Sequence, residues 1–579
     1  MARLHRWNAL PRCCAIVRLH RWNTLPRYCA VVRMRCCAIA LPCALFLNLW
    51  LFSADNETMK TVVILFAGFS GQYAFETSFG NFSAYDSALS WACTVPESVG
   101  TVVCAAKENA ARCEAEARKN NASITLIEKD AWTVSTLLET IAHVCAERGA
   151  DAAVYAAFDC PFLNKAVTDE LIAAHKTYVA EYTFADGYPY GMTPEIINKD
   201  AAIILASLSQ QKKIGSEIVK RDSIMSLLKT DINSFEIETV LAPKDWRLYR
   251  LSFECSTKAG FYSCRAVYDS HCNTDNAEAL CETAVRLAAV LKTVPAFYNV
   301  HIEPAEEGSV VYSPYKAAYE KKYGTAPSSQ NAVRMTLEQF APLVQQMAAL
   351  SENAVVSLSA WGEPLLHPQF VDFVKAVVSE SGLSVLVETN GLHVTESLCK
   401  EIKAIADGKI IWIVTLDAAT EALYKKMHGE AGTLSQAVAA VTLLQTHFPE
   451  NVYPQLVRTN ENECELESFY RYWKDAAHGG NVIIQKYDSF CGALPDWKPA
   501  DLSPLERNPC WHMRRDMTIL ANGDVPLCRE FLFDNIIGNA FVERLESIWE
   551  RITPYVERDM NGEREEACRK CDEYYTFNF

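Results

Sequence analysis

Basic side chains are scarce in this chain of 579 residues, which has 55 Lys and Arg against 71 Asp and Glu and a formal charge of -16 at pH 7. Binding to nucleic-acid phosphates needs a broad positive field, so this balance excludes nucleic acid as the expected partner. The 22 cysteines are too few for a small disulfide-stapled scaffold. Half of the residues are hydrophobic and 22% are charged, which excludes disordered and low-complexity classes. The composition and length therefore predict a globular protein of several domains.

Apolar runs long enough to span a bilayer are missing after residue 58. Within the first 58 residues, the segment 4–12 recurs almost unchanged at 19–27, and a mostly apolar stretch at 36–52 follows eight arginines. That order is typical of a signal peptide or signal anchor. Against export, Met59 is followed directly by the apolar run 61–66, as a start methionine often is in cytosolic α/β proteins.

We therefore interpret residues 1–58 as a mis-assigned start or a signal-like segment, and we expect the protein to begin at Met59. Without that segment the chain has 47 basic and 69 acidic residues, a formal charge of -22 and 16 cysteines. The predicted location is cytoplasmic, with no membrane partner. A membrane-anchored or exported protein is the alternative if residues 1–58 are real.

From residue 59 to about 243, short β-branched runs alternate with helix-like stretches. Strands are predicted at 61–66, 99–104, 124–127 and 152–157. Such βαβ alternation indicates a parallel sheet, whose ligands gather beyond the carboxyl ends of the strands. Asp159 lies at such an end, and a carboxylate there can hold Mg²⁺ against nucleotide phosphates. The alternative is a capping Asp in a strand-ending turn.

Together with Ala-Gly-Phe-Ser-Gly at 67–71 and Gly-Tyr-Pro-Tyr-Gly at 187–191, Asp159 resembles the nucleotidyltransferase fold of the cytidylyltransferases that activate sugar acids. The resemblance implies a nucleotide and magnesium site at Gly68 and Asp159, with Glu238 or Asp245 as a second carboxylate. Those families carry an Arg and a Lys in the loop after the first strand, whereas residues 68–81 contain neither. Without that positive charge, phosphoryl transfer lacks its main electrostatic stabilisation, so a scaffold role is favoured.

A second series of strands is predicted at 298–302, 355–359, 384–388, 410–416, 453–457 and 482–485. Six βα repeats favour a partial barrel over an open doubly wound sheet, although periodicity alone does not separate the two. Polar motifs follow three consecutive strands: Gly362-Glu363-Pro364, then Thr389-Asn390-Gly391, then Asp417. The carboxyl ends of barrel strands are where such folds bind ligands.

This ordered set resembles the radical S-adenosylmethionine (SAM) superfamily, which implies that those seven residues are positions of a SAM site. The superfamily also has a Cys-x3-Cys-x2-Cys motif after the first strand, whose 4Fe–4S cluster anchors SAM. Here no cysteine occurs between Cys281 and Cys399, and the matching positions are Glu306, Val310 and Ser313. A thiolate cluster cannot be built from these side chains, so we expect a vestigial SAM site without radical initiation. Whether SAM still binds is left open.

Four cysteines near the end of the chain form the third motif: Cys510, Cys528, Cys568 and Cys571. Two separated cysteines and a closing Cys-x2-Cys let four thiolates converge on one metal or cluster. A zinc site and unligated buried thiols are the alternatives. The surrounding sequence is similar to the SPASM domain, which holds auxiliary iron–sulfur clusters. The resemblance implies one fully ligated 4Fe–4S cluster, and Cys491 is an alternative ligand.

The order of these three parts resembles the spirochaetal spiro-SPASM family. The predicted fold is α/β: a nucleotidyltransferase-like Rossmann-type domain at 59–290, a partial (βα)6 radical SAM-like barrel at 291–489, and a SPASM module at 490–579. We predict an iron–sulfur protein with a binding, maturation-related or electron-transfer role, whose partner is a peptide, a small molecule or a redox protein. The alternatives are a Mg²⁺-dependent nucleotidyltransferase using Asp159 and a radical SAM enzyme whose cluster is supplied by a partner. No catalytic residue is predicted.

Overall fold

Two seven-stranded sheets organise the part of the chain that the structure describes. The structure is a computed structural model, and it describes residues 59–306, 312–327 and 333–576. Residues 1–58, with the predictions made for them, lie outside the described residues, and so does Val310. Within the described residues, no helix has both the length and the apolar character needed to cross a bilayer.

The first sheet has the strand order β3-β2-β1-β4-β6-β5-β7, and β6 alone runs antiparallel to its neighbours β4 and β5. β1 and β4 are buried along their whole length, which explains why they read as continuous apolar runs. The four strands predicted here are found within a few residues of their expected bounds. The strands are β1 (Thr61–Ala67), β2 (Ser98–Ala106), β3 (Ile124–Lys129), β4 (Ala152–Ala157), β5 (Tyr182–Asp186), β6 (Glu195–Asn198) and β7 (Ile237–Leu241).

Helices alternate with these strands and continue beyond them to the second sheet. They are α1 (Ala84–Ala92), α2 (Lys107–Lys119), α3 (Val134–Arg148), α4 (Lys165–Tyr178), α5 (Lys199–Gln211), α6 (Ser223–Lys229), α7 (Lys258–Asp269), α8 (Ala277–Ala284) and α9 (Ala288–Leu291). The sequence pattern thus gives a Rossmann-type layer arrangement, with helices covering a mainly parallel sheet.

The second sheet is parallel throughout and has the order β13-β12-β11-β10-β9-β8-β14. Six of its strands are those predicted for the partial barrel. The seventh, β14, comes from the C-terminal segment and pairs with β8, so that it covers an edge that would otherwise be open. The strands are β8 (Phe297–Val300), β9 (Ala354–Ser357), β10 (Leu383–Thr389), β11 (Ile410–Thr415), β12 (Val452–Arg458), β13 (Ile483–Lys486) and β14 (Asp516–Ile519).

The helices of this second region fall into a barrel set and a C-terminal set. The barrel set is α10 (Pro314–Tyr323), α11 (Leu337–Ser351), α12 (Phe370–Val378), α13 (Glu396–Ala406), α14 (Glu421–His428), α15 (Leu434–His447) and α16 (Leu466–Lys474). The C-terminal set is α17 (Trp511–Arg515), α18 (Leu545–Glu550), α19 (Thr553–Met560) and α20 (Glu566–Lys570), with a small antiparallel pair, β15 (Asp524–Pro526) and β16 (Ile536–Asn539). Short 3-10 turns occur at Ile232–Ser234, Arg247–Tyr249, Pro364–Leu366, Glu463–Glu465, Ala476–His478, Phe490–Gly492 and Arg529–Phe531.

The C-terminal segment shares a hydrophobic core with the barrel. Met517 of β14 and Trp549 of α18 lie in the same buried cluster as Trp412 of β11 and Phe373 of α12. The first domain joins this body through a few polar contacts. The Tyr73 hydroxyl donates to the Glu352 carboxylate at 2.6 Å, and the Arg250 guanidinium donates to the Tyr575 carbonyl oxygen at 2.7 Å.

Candidate metal centre and barrel cavity

Five cysteines line one small cavity in the C-terminal segment. Four are the predicted ligands, and the fifth is Cys491, from the Phe490–Gly492 turn. The four predicted cysteines lie in or next to short elements. Cys510 directly precedes α17, Cys528 directly precedes the Arg529–Phe531 turn, Cys568 lies within α20, and Cys571 directly follows α20. Residues that are far apart in sequence thus converge because the elements between them fold back.

Charged side chains fix the backbone around these cysteines. The Cys510 N–H donates to the Asp559 carboxylate at 2.7 Å, and the Cys510 carbonyl accepts from the Arg514 guanidinium at 3.1 Å. The Arg507 guanidinium donates to the carbonyl oxygens of Cys568 at 2.7 Å and Cys571 at 3.2 Å. These bonds hold the cysteine-bearing loops in place through the backbone and do not involve the sulfur atoms.

The spacing of the sulfur atoms distinguishes a cluster from a single ion. A tetrahedral zinc site with Zn–S bonds of about 2.3 Å places its sulfurs about 3.8 Å apart. Among the described residues, Asp488, Asp572 and Glu573 form a group whose potential metal-ligand atoms all lie within 4.8 Å of one another. This group contains no cysteine. No three of the cysteine sulfurs among the described residues therefore lie within 4.8 Å of one another. The wider spacing suits a cluster in which several iron atoms separate the thiolates.

That carboxylate group is itself neutralised by protein cations. Lys486 lies 2.9 Å from Asp572 and also pairs with Glu573, while Lys498 lies 2.5 Å from Asp572. Arg529 lies 3.3 Å from Asp488. The group is a salt-bridge network that ties the end of β13 to the chain beyond Cys571.

The thiols of the cavity differ in their acidity. Burial raises the pKa of Cys510 and Cys528, and it raises the pKa of Cys568 to about 12. Cys571 differs from these: a hydrogen bond from Cys491 lowers its pKa against the opposing effect of burial, and the Glu573 N–H donates to its sulfur at 3.3 Å. Cys571 is thus the cysteine whose surroundings stabilise a thiolate before any metal binds.

A cavity of about 490 Å³ lies at the carboxyl edge of the second sheet, where the predicted SAM-site motifs come together. The Glu363 carboxylate accepts hydrogen bonds from the Thr389 hydroxyl at 2.8 Å and from the Asn390 N–H at 2.9 Å, and burial raises its pKa to about 7. Gly362 has φ +79°, and a Cβ there would lie 1.9 Å from the Glu303 carbonyl oxygen. The Gly-Glu-Pro and Thr-Asn-Gly segments therefore meet through bonds within the protein.

Asp417 is completely buried at the same edge of the sheet. Its carboxylate accepts from the Val457 N–H at 2.7 Å and from the Tyr312 hydroxyl, and His428 Nε2 lies 3.1 Å away. Pro364 begins the short turn after Glu363, and Gly391 has φ +80°. Of the seven predicted SAM-site residues, Gly362, Glu363, Thr389 and Asn390 line the cavity. The carboxylates of Glu363 and Asp417 already have partners in the chain.

Two of the three positions that the resemblance assigns to the cluster cysteines, Glu306 and Ser313, have polar side chains that bond to each other. The Ser313 hydroxyl donates to the Glu306 carboxylate at 2.7 Å, and burial raises the pKa of Glu306. The described residues that line the barrel cavity include no cysteine. Glu306 and Ser313 thus form a hydrogen-bonded pair at this end of the barrel sheet.

One wall separates the barrel cavity from the cysteine cavity. Cys528 and Glu530 line the cysteine cavity, while Arg529 between them lines the barrel cavity. On the other side of the wall, Phe490 lines the barrel cavity and the next residue, Cys491, lines the cysteine cavity. The Arg529 guanidinium lies 5.4 Å from the Phe490 ring centroid, which joins the two segments. Arg529 was not singled out by sequence, because no motif marks it apart from its adjacency to Cys528.

In the first domain, an arginine meets the predicted magnesium ligand. Asp159 is fully buried, and the Arg221 guanidinium donates to its two oxygens at 2.6 and 3.1 Å. The same guanidinium pairs with Glu254 and packs over the Phe69 ring at 4.3 Å. Glu254 is therefore the carboxylate that shares the Arg221 guanidinium with Asp159. Asp245 instead pairs with Arg247 at 2.7 Å.

The loop that contains Gly68 is fixed by the protein itself. The Asn109 side-chain amide donates to the carbonyl oxygens of Ala67 at 2.9 Å and Phe69 at 2.7 Å. Asp159 thus has the Arg221 guanidinium as its counter-ion. The loop around Gly68 is hydrogen-bonded to the Asn109 side chain. This arrangement favours the scaffold interpretation of the first domain.

Comparison with known proteins gives two matching families and several relatives. Residues 317–472 match the Radical SAM superfamily, and residues 510–572 match an iron–sulfur cluster-binding domain, SPASM. An uncharacterized protein of Treponema pallidum (strain Nichols) is 40% identical over 368 residues, which cover 62% of this chain and 98% of that protein. The tungsten-containing aldehyde ferredoxin oxidoreductase cofactor-modifying protein of Pyrococcus furiosus is 22% identical over 142 residues, or 24% of this chain and 39% of that protein. The structure of a cytidylyltransferase from Leptospira borgpetersenii aligns with a TM-score of 0.34 and 16% identity, covering 39% of this chain and 94% of that one.

The fold and the two family matches define a protein with a Rossmann-type first domain, a radical SAM-like partial barrel and an iron–sulfur cluster-binding SPASM domain. The chain belongs to the SPASM-containing radical SAM family of the Treponema pallidum protein, which confirms the resemblance to spirochaetal proteins of this organisation. The Radical SAM match begins at residue 317, beyond the stretch where the cluster cysteines would lie.

Proposed function

We propose that this chain is an iron–sulfur protein in which Cys510, Cys528, Cys568 and Cys571 hold one 4Fe–4S cluster beside a ligand-binding barrel. The observation that carries the proposal is the shared wall, where Cys528 lines the cysteine cavity and Arg529 lines the barrel cavity. When bound, a cluster with four cysteine ligands supplies one-electron transfer, because no iron is left open to activate a substrate. A molecule in the barrel would then lie next to a redox centre, which suits electron exchange.

The barrel itself acts as a binding site in this proposal. Its cavity of about 490 Å³ is large enough for a small molecule or a short peptide segment. Glu306 and Ser313 bond to each other and cannot replace cluster thiolates, so SAM would lack its anchoring iron. We therefore propose binding and electron transfer, with a maturation-related role as the context, and no radical initiation.

The spacing and chemistry of the cysteines support iron–sulfur binding over zinc. Among the described residues, no three of the cysteine sulfurs lie within 4.8 Å of one another, and the half-buried Arg507 and the buried Arg514 lie against the loops that carry them. Positive charge there offsets the negative charge that four thiolates bring to a cluster. These features favour one 4Fe–4S cluster at this site.

We also propose a cytoplasmic location, with a small molecule, peptide or redox protein as the partner. The sixteen cysteines among the described residues are all free thiols, and Cys93 and Cys464 are exposed. Exposed free thiols are typical of a reducing compartment. The excess of acidic residues supports the expectation that nucleic acid is not a partner.

Anaerobic purification with iron and sulfide analysis and electron paramagnetic resonance (EPR) tests the proposal. We expect about four irons per chain and a spectrum of one cluster after reduction. Replacing any of Cys510, Cys528, Cys568 and Cys571 by Ala should lower the iron content strongly, whereas Cys464→Ala, at an exposed position, should not change it. Stoichiometric zinc, or about eight irons per chain, would overturn the proposal.

A separate assay tests the absence of radical initiation. The full-length protein is incubated anaerobically with SAM and a strong reductant, and the products are separated by chromatography. We expect no 5′-deoxyadenosine above the level of a Cys510→Ala control. Formation of 5′-deoxyadenosine by the wild-type protein would instead support a radical SAM enzyme.

A further inference from the structure

The cavity of the barrel is layered, because side chains two residues apart on a strand point to the same side of the sheet. Its deep end is a buried apolar cluster, the apolar floor, formed by Phe297 of β8, Leu386 of β10 and Ile413 of β11. Two residues further along the same three strands, the cavity is lined by Asn299, Glu388 and Thr415. A layer of polar side chains therefore lies directly above the apolar floor.

Glu388 is the acidic side chain of this polar layer, whose other members are uncharged: Asn299, Ser357, Thr415, Gln455 and Gln485. Glu388 Oε1 accepts hydrogen bonds from the Gln455 amide at 2.7 Å and from the Thr415 hydroxyl at 3.2 Å. Among the described residues, no basic side chain pairs with Glu388. Burial raises its pKa, because it removes the charged carboxylate from water. A cationic group of a ligand would supply the missing counter-ion.

The basic side chains of the same cavity are already paired. Lys486 lies 2.9 Å from Asp572, and Arg529 lies 3.3 Å from Asp488. These two are the Lys and Arg side chains among the described residues that line the cavity. An anionic ligand would have to compete with the carboxylates of these pairs, whereas a protonated amine meets the unpaired carboxylate of Glu388. The charges thus favour a cationic ligand over an anionic one.

Three further polar groups of the cavity have no partner in the part of the chain that the structure describes. Asn299 is 6% exposed, and its side-chain amide makes no hydrogen bond there. The same holds for the Gln485 amide, and Trp361 Nε1 is buried without an acceptor. Leaving a buried donor or acceptor unpaired costs free energy. Hydroxyl groups of a ligand would pair with these groups, because a hydroxyl both donates and accepts.

Glu363, at the mouth of the cavity, does not offer the same site. Its carboxylate accepts from the Thr389 hydroxyl and from the N–H groups of Leu365 and Asn390, so both of its oxygens are bonded within the protein. The hydrogen bonds of Glu388 reach Oε1 alone, which leaves Oε2 for a ligand. The open carboxylate oxygen thus lies in the polar layer and not at the Gly-Glu-Pro segment.

We propose, on the basis of the binding role proposed for the barrel, that its cavity takes a small molecule carrying a protonated primary amine and several hydroxyl groups, and that Glu388 selects the amine. The amine pairs with the Glu388 carboxylate, and the hydroxyl groups bond to the amides of Asn299 and Gln485. The carbon frame lies on the apolar floor. Charge-assisted hydrogen bonds are stronger than neutral ones, so the amine contributes more to affinity than any one hydroxyl.

The test is isothermal titration calorimetry on the full chain, purified anaerobically, with three probes that share one carbon frame. Glucamine has an ammonium group at one end, where sorbitol has a hydroxyl and gluconate a carboxylate. We expect glucamine to bind about tenfold or more tightly than sorbitol, and gluconate to bind most weakly. Glu388→Gln keeps an acceptor for Gln455 and Thr415 but loses the charge, so it should remove the preference for glucamine. Glu467→Gln, with a side chain 76% exposed on α16, is the control that should keep the preference.

The outcomes separate this inference from the proposed function. Binding of sorbitol or gluconate as tight as that of glucamine would overturn the inference and leave the barrel as a binding site. Absence of binding by all three probes would also overturn it, while the iron content of the same sample tests the proposed cluster. An unchanged preference in Glu388→Gln would show that another group selects the amine.

Two further measurements complete the test. Nα-acetyl-lysine amide has an ammonium group but no hydroxyl, as a lysine side chain of a peptide does. Tighter binding of this probe than of glucamine would overturn the assignment to a hydroxyl-bearing small molecule. If Glu388→Gln does not fold, Asn299→Ala takes its place, because the Asn299 amide has no bond to lose within the described residues. It should weaken glucamine binding by about two- to tenfold, and unchanged affinity would contradict the proposed contact.

Discussion

At the scale of single residues, Arg221 decides the chemistry around Asp159. Its guanidinium reaches Asp159 and Glu254 and also donates to the Ser256 hydroxyl at 2.6 Å. A magnesium ion would have to displace this arginine before it could bind. From the sequence alone, the lack of Lys and Arg at 68–81 indicates a scaffold role for the first domain. The pairing of Arg221 with Asp159 could not be predicted, because Arg221 lies 62 residues away and belongs to no recognisable motif. Only the folded chain shows which cation meets which carboxylate.

Replacing Arg221 by Ala should destabilise the first domain. The change leaves Asp159 fully buried and Glu254 largely buried without a counter-ion, and breaking a buried ion pair costs about 3–5 kcal/mol. Thermal unfolding should show this as a lower midpoint. Arg247→Ala is the control, because its ion pairs are exposed and solvent screening leaves them little effect on stability.

A second measurement on the same proteins tests nucleotide binding. We expect calorimetry to show no Mg²⁺-dependent binding of a nucleoside triphosphate to the wild-type chain. Binding that Asp159→Ala abolishes would instead support a nucleotidyltransferase.

At the scale of elements, periodicity located the six strands of the barrel but not β14. Each predicted strand has a run of apolar residues between helical patterns, which is a local signal. β14 is only four residues long and lies in a segment of turns between two cysteines, so it has no such local signal. Its pairing with β8 is determined by tertiary packing. The Phe490–Gly492 turn was missed for the same reason. Its left-handed conformation at Phe490 and Cys491 depends on Asp488 and Arg529, and neither residue type favours it locally.

Met517→Ala tests the coupling between β14 and the cysteine loops. Met517 is 1% exposed in the shared core, and such a truncation costs about 2–5 kcal/mol of stability. Because β14 lies between Cys510 and Cys528, the variant should also lose iron faster than the wild type during aerobic incubation. Val542→Ala, at an 81% exposed residue of the same segment, should behave like the wild type. Equal iron loss in the two variants would contradict the coupling.

At the scale of the whole molecule, the first domain is joined to the cluster-bearing body by specific polar contacts. Arg250 lies 4.5 Å from the Trp511 ring centroid, next to Cys510, and Arg514 donates to the Tyr249 carbonyl oxygen at 3.4 Å. Tyr73 bonds to Glu352 at the end of α11. The three domains were expected from sequence, whereas these contacts join residues separated by hundreds of positions and have no sequence pattern. A scaffold role for the first domain agrees with this arrangement.

Tyr73→Phe should weaken the junction between the first domain and the barrel. The hydroxyl donates to a carboxylate, and hydrogen bonds to charged groups contribute about 1.5–3 kcal/mol. Limited proteolysis should cleave the variant between the two domains faster than the wild type. Tyr262→Phe is the control, because Tyr262 is 40% exposed and no such bond is lost. Equal cleavage rates for the two variants would show that this bond does not hold the junction.

The pairing of β14 with β8 has a consequence for the order in which the protein matures. During synthesis, β8 leaves the ribosome long before β14, so one edge of the barrel sheet stays unpaired until residue 519 has emerged. Cys568 and Cys571 emerge later still. If the proposed cluster binds there, iron insertion at the four-cysteine site would follow the emergence of Cys571, after the sheet has closed. A nascent chain that stalls before residue 519 would expose an open strand edge to chaperones or proteases. A chain that stalls between residues 528 and 568 would leave Cys510 and Cys528 without the other two cysteines.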